Sequence, residues 1–203
     1  MSQREKQKSD TREQILGSAV RHMKTDGLSG ASVSDIMASV GLTVGGFYAH
    51  FTSKDALAVE AVRHAMAERR RMFLERFHGL GWANRIGSAL REYLTRAHRD
   101  TPAKGCPLSM AAVEATQNEA TAAAFVEEFD RFVEAFELGK DSVGQSAPRD
   151  VAIGALALMV GGMILARATN GSALSDEILS AVDSFGQAAI GNLATPTVRR
   201  RRR

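Results

Sequence analysis

Apolar residues recur at spacings of three and four along almost the whole of this chain, and no stretch combines β-branched enrichment with sustained alternation. A period near 3.6 puts such residues on one face of a helix, whereas a half-buried strand needs a period of two. An all-α fold is therefore expected. A first helix carries Ile15, Leu16, Ala19, Val20 and Met23, with Ser9, Asp10 and Thr11 as caps and Gly27 as its stop. Ser32 and Asp35 make a capping-box pattern that opens a short helix over Ile36, Met37 and Val40. Thr52 and Ser53 cap a long helix from Lys54 to about Phe77, and another runs from Trp82 to Asp100. The segment Thr101 to Pro107 reads as a turn, Asn118 and Glu119 as a joint, and Gly139 to Pro148 as a second break. The last two helices run from Asp150 to about Thr169 and from about Ser175 to before Pro196.

Composition excludes several classes. At 203 residues, with 44% hydrophobic and 24% charged residues, the chain suits one good core or a core with a small appended domain. The N-terminus is charged and has no apolar signal region, and a single cysteine, Cys106, cannot staple the chain internally, so a cytoplasmic protein is expected. The net charge is +3, but Arg199 to Arg203 supply +5, so basicity belongs to the tail and any nucleic-acid site must rest on local motifs. Residues 151–166 form an uncharged run of sixteen, short of the about 20 that span a bilayer and rich in glycine and alanine. They are expected to form a helix buried all round in protein. His22, His50, His64, His78 and His98 show no spacing suited to helical metal ligation, and no glycine-rich loop follows a strand, so neither an enzyme nor a cofactor or metal is expected.

The stretch GLTVGGFYAHF, residues 41–51, sets Gly45 and Gly46 directly before an aromatic run. Three short helices ending at Phe51, the second and third joined by Gly41, Leu42 and Thr43, outline a helix-turn-helix unit whose third helix enters the major groove. Thr43 would cap that helix, and the glycines would let its backbone sit close to the duplex, at roughly 1 kcal/mol each relative to alanine. Phe47 and Phe51, four apart, share the inward face toward Ile15, Leu16, Ile36 and Val40. Tyr48, His50 and Lys54 are placed to reach phosphates; spacing alone equally allows Tyr48 as half-buried core and His50 as an idle surface residue.

The runs TREQIL (11–16), Ser32 to Ile36, Gly41-Leu42-Thr43, Gly45-Gly46-Phe47-Tyr48, His50-Phe51 and Ser53 to Leu57 resemble the DNA-binding domain of the tetracycline-repressor (TetR) family of bacterial transcriptional regulators. That resemblance covers residues 10–60. It implies an N-terminal three-helix helix-turn-helix domain at 1–53 and a larger helical effector-binding and dimerisation domain at 54–195. The residues themselves add a basic N-terminal arm with Arg4, Lys6, Lys8 and Arg12, able to give salt-sensitive attraction to DNA, and a basic tail at 196–203 that is expected to be disordered. The resemblance further implies a homodimer that binds a palindromic double-stranded operator and is released by a small effector, with repression the common outcome and no membrane involved. The alternative is a helical membrane-associated or adaptor protein without sequence-specific DNA binding. Carried over by position, Thr43, Val44, Gly45, Gly46, Tyr48, His50 and Lys54 become DNA-binding residues. Val44 and Gly46 depart from the family's usual polar and small hydroxyl or alanine residues, which shifts readout toward a thymine methyl, Tyr48 and DNA shape.

In the C-terminal part, Phe125, Phe129, Phe132 and Phe136 form one apolar stripe, most simply core. With Trp82, Tyr93, Cys106, Met110, Met159 and Met163, Phe125 and Phe129 are also candidates to line an effector pocket, for an apolar or electrophilic ligand. Small residues on the helix from Asp150, with the last helix, suit either a buried intrachain seam or a dimer seam through Gly154, Leu158, Gly161, Leu165, Val182 and Phe185. Gly105-Cys106-Pro107-Leu108 is similar to a segment in a branch of the family that includes regulators of responses to reactive electrophiles. Cys106 thus reads as an electrophile-sensing thiolate before a helix start or as a small apolar filler of a turn.

Overall fold

The computed structural model describes residues 2–25, 27–28, 30–140 and 144–194, and among them every regular element is helical. The arginine run at 199–203 lies outside the described residues. In chain order the α-helices are α1 (Gln3–Thr25), α2 (Val33–Ala38), α3 (Val44–Phe47), α4 (Lys54–Arg76), α5 (Trp82–Tyr93) and α6 (Arg96–Asp100). After a 3₁₀ turn at Pro102–Lys104 come α7 (Leu108–Ala115), α8 (Glu119–Glu137), α9 (Arg149–Ala168) and α10 (Ala173–Ala194). Two compact units result, one of Met1–Met72 with Thr101–Phe132, the other of Phe73–Asp100 with Val133–Arg203.

Two helix boundaries differ from the sequence expectation, each for a local hydrogen-bonding reason. Helix α1 opens beside Ser2 and not near Ser9: the Ser2 hydroxyl accepts from the Glu5 amide at 3.2 Å, and the Glu5 carboxylate accepts from the Ser2 amide at 2.6 Å. This is a reciprocal capping box. The expected single helix from Trp82 to Asp100 is broken at Leu94, where ψ is 60°, and α6 starts afresh with the Thr95 hydroxyl accepting from the His98 amide at 3.2 Å.

In the first unit, α2 has its expected box, with the Asp35 amide donating to the Ser32 hydroxyl and the Ser32 amide to the Asp35 carboxylate. Gly41, at φ +69°, turns the chain out of α2. Ile15, Ala19 and Met23 of α1 and Ile36 and Met37 of α2 are fully or almost fully buried, as are Phe47 of α3 and Leu57 and Ala61 of α4. Each large side chain so buried contributes about 1.5–3 kcal/mol. Helix α7 fastens the turn after α1: Glu114, buried, accepts from the Leu28 amide at 2.6 Å. Gly27 there has φ +79°, and a Cβ on it would lie 2.9 Å from the Glu114 carboxylate. On α8, the buried Glu128 carboxylate is satisfied by Arg70 and Arg131, each at 2.5 Å.

In the second unit, α9 and α10 form a helical hairpin joined by residues 169–172. Their approach depends on two glycines: a Cβ on Gly162 would meet Val182 Cγ1 at 2.8 Å, and one on Gly186 would meet Leu90 at 2.9 Å and Leu158 at 3.0 Å. Arg96, at 2.7 and 2.9 Å, and Arg99, at 2.9 Å, donate to Asp176 and hold its carboxyl below the usual carboxylate range. Helix α9 is long and apolar enough by composition to cross a membrane, and 39% of its most apolar window is buried. The expectation of burial all round is thus corrected, for Ile153, Ile164 and Leu165 stand exposed on it.

Candidate nucleic-acid interface

Helix α3 is a single turn, too short to persist on propensity alone. Phe47 holds it. Its ring is fully buried, stacks on Phe51 with centroids 5.7 Å apart, and meets Tyr48 edge-on at 5.2 Å. Thr43 stands at the cap position, but its hydroxyl makes no capping bond, contrary to expectation; the Gly46 amide closes the turn by donating to the Thr43 carbonyl at 3.0 Å.

The other face of α3 looks outward. Thr43, Val44, Gly45 and Tyr48 are exposed, Val44 at 43% and Tyr48 at 68%. A Cβ on Gly45 would meet nothing within 4 Å, and one on Gly46 would meet only the flexible end of Met37 at 3.7 Å. Internal packing therefore demands neither glycine. The open space at exposed Gly45 suits close approach by a large partner, whereas half-buried Gly46 lies toward Met37.

His50 and Lys54 complete the set. Lys54 is half-buried at the first position of α4. The His50 Nδ1 atom is buried without a hydrogen-bond partner. Burial first, then the Lys8 and Arg12 charges, push the His50 pKa below the ordinary histidine value. Arg12 itself is paired with Glu60 and lies 4.7 Å from the Phe51 ring centroid. Lys8 and Arg12 of the basic N-terminal arm thus act on the side of His50, an approach that only the fold reveals. Since the fold favours neutral His50, its contribution to stability is complete above the ordinary histidine pKa of about 6.5 and is lost as pH falls below it. Proton NMR titration of the DNA-free protein should find His50 below that value, and Lys8→Gln should restore only part of the shift because burial is the larger cause.

The C-terminal candidates fall into different surroundings. Trp82, Tyr93, Met159 and Met163 are buried in the second unit. In the first, Cys106 is buried, Met110 is half-buried, and half-buried Phe125 and Phe129 stack with centroids 5.6 Å apart. The Cys106 thiol lies between buried Gly105 and Pro107, unlike the accessible setting of reactive thiols. Of the dimer candidates, Gly154, Leu158 and Phe185 line a mainly apolar cavity of about 310 Å³, together with Leu90, Ala155 and Ile190. Leu165 and Phe185 are exposed, Gly154 and Gly161 would each accept a Cβ without contact, and Val182 packs within the chain under Gly162.

Residues 15–61 match the family model described as bacterial regulatory proteins, tetR family. Among solved structures, the chain is similar to a TetR transcriptional regulator from Chloroflexus aurantiacus J-10-fl, with 24% identity over 89% of this chain and 96% of that one and a TM-score of 0.67. It is also similar to reduced E. coli NemR, with 20% identity over 93% and 100% and a TM-score of 0.72. A third is a regulator from Saccharomonospora viridis in complex with choline, with 20% identity over 87% and 95% and a TM-score of 0.66. No curated protein matches the chain. At these identities the structural likeness is one of fold.

Proposed function

We propose that this chain, a member of the tetR family of bacterial regulatory proteins, is a ligand-responsive transcriptional repressor that binds a palindromic operator as a homodimer. The observation that carries this reading is the outward face of α3. A one-turn helix is held from within by Phe47 and presents Thr43, Val44, the unencumbered Gly45 and Tyr48 outside. In a helix-turn-helix unit the recognition helix lies in the major groove with its N-terminal residues at the base edges, the place that Thr43, Val44 and Gly45 hold here. Lys54 and His50 flank that face as phosphate donors, so affinity would rest on the backbone and discrimination on Val44, Tyr48 and DNA shape.

The uncovered apolar surface of the second unit supports the dimer. Leu165 and Phe185 are exposed, Phe185 as part of the groove that Gly154 and Leu158 also line, and a two-fold axis lets one such patch meet its own copy. The same pairing accounts for the apolar length of α9 without a membrane. For the effector, an apolar small molecule is proposed, held either on Trp82, Tyr93, Met159 and Met163 of the second unit or on Met110, Phe125 and Phe129 of the first, all adaptable or flat surface. The choline-bound S. viridis structure is an instance of this fold holding a small molecule.

Footprinting of DNA upstream of the chain's own coding sequence tests the reading. The expected result is protection of a pseudo-palindrome with half-sites one helical turn apart, about 34–36 Å. Tyr48→Ala and Lys54→Ala should each abolish protection while gel filtration still reports a dimer. Undiminished protection with both variants would overturn the site assignment.

A further inference from the structure

Helix α1 begins at Gln3, well ahead of residue 15 where the family match starts, and every residue from Ser2 to Asp10 is exposed. These first turns bury no core, yet the Ser2 and Glu5 box fixes them as a continuous helix. Within them Arg4, Lys8 and Arg12 recur every four residues and so share one face, while Asp10 and Glu13 fall on the far side with Lys6. Like charges four apart repel along a helix, so the stripe weakens α1 unless a polyanion faces it.

The inner end of the stripe is anchored. Arg12 pairs with Glu60 and covers the Phe51 ring, and both Lys8 and Arg12 act electrostatically on His50, directly after α3. Arg4 and Lys8 make no ion pair among the described residues. Successive members of the stripe lie roughly 6 Å apart along the helix axis, about two base-pair rises of 3.4 Å on one DNA strand. Rigid spacing, outward charge and continuity with α3 all fit the sugar-phosphate edge of a duplex.

We infer that Arg4 and Lys8 form, with His50, a phosphate-binding stripe that grips the DNA backbone flanking each half-site and carries the contact beyond the base-reading helix. This rests on the DNA-binding reading above. Its role is affinity and salt dependence, with no part in base discrimination.

The test uses the full chain and two duplexes of the footprinted operator, one ending at the half-site edges and one extended by about six base pairs of unrelated sequence on each side. Affinity is measured across a salt series for wild type, the Arg4→Gln/Lys8→Gln double variant and Lys6→Gln. Glutamine preserves helix propensity, and circular dichroism verifies the fold. Wild type should bind the extended duplex more tightly and with a steeper salt slope. The double variant should lose that advantage, its slope falling by about 3.6 for four phosphate contacts per dimer, at about 0.9 per contact. Lys6→Gln should leave the slope unchanged. An unaltered slope in the double variant overturns the stripe, and so does an equal fall in Lys6→Gln, which would mark a diffuse basic arm. If wild type fails to bind even the short duplex specifically, the DNA-binding reading itself falls, and this inference with it.

Discussion

Phe47→Ala should destabilise the first unit by about 3–5 kcal/mol, the cost of removing a large aromatic from a core that refills poorly. The size of the effect follows from position. Phe47 is fully buried and lies inside a helix of four residues, so no neighbouring turn can hold α3 once the ring is gone. It touches both aromatics that frame the site, Phe51 by stacking and Tyr48 edge-on, and its loss unfastens the outward face together with the core. Urea denaturation followed by far-UV circular dichroism measures the loss, and operator protection should vanish in parallel. A variant within about 0.5 kcal/mol of wild type would mean that backbone contacts alone hold α3, because that is the ordinary range of a surface substitution.

How much of this was legible in the sequence can be traced residue by residue. Where a helix buries a face, the three-and-four periodicity locates it: Ile15 to Met23, Ile36 with Met37, and the pair Phe47 and Phe51 are all core as expected. Where a helix buries nothing, periodicity is silent. The first turns of α1 could be found only from the Ser2 and Glu5 box, a signal that caps and does not pack. The break at Leu94 was missed for a related reason: no glycine or proline marks it, and its cause is one hydroxyl, that of Thr95, capping α6.

Within the site, the turn motif and the family resemblance point to the outward residues, but the setting of His50 required the fold. Its buried Nδ1 and the approach of Lys8 and Arg12 join residues about forty apart in the chain. Thr43 shows the opposite limit, since a good capping residue at the cap position makes no capping bond when a single backbone turn already closes the helix. For α9 the pattern was apolar on every side and could not say which face lacks a cover. The exposure of Ile153, Ile164 and Leu165 decides that.

Val44→Glu should weaken operator binding by about 100-fold or more, equivalent to about 2.7 kcal/mol, and leave the fold intact. The substitution separates interface from core because the two consequences have opposite signs. Val44 is 43% exposed at the first position of α3, and a carboxylate in a first helical turn is favoured by the partial positive charge of the helix start. On the proposed reading the same carboxylate would enter a groove walled by phosphates, where like-charge juxtaposition costs several kcal/mol. Val44→Thr is the companion variant. It keeps the β-branched shape and a methyl group able to touch a thymine, so its affinity should stay within about threefold of wild type, the methyl being the only contact Val44 offers a base. Binding isotherms on the footprinted duplex, read beside thermal melts of both variants, separate the cases. Tight binding by a stably folded Val44→Glu protein would place the DNA elsewhere than on the outward face of α3.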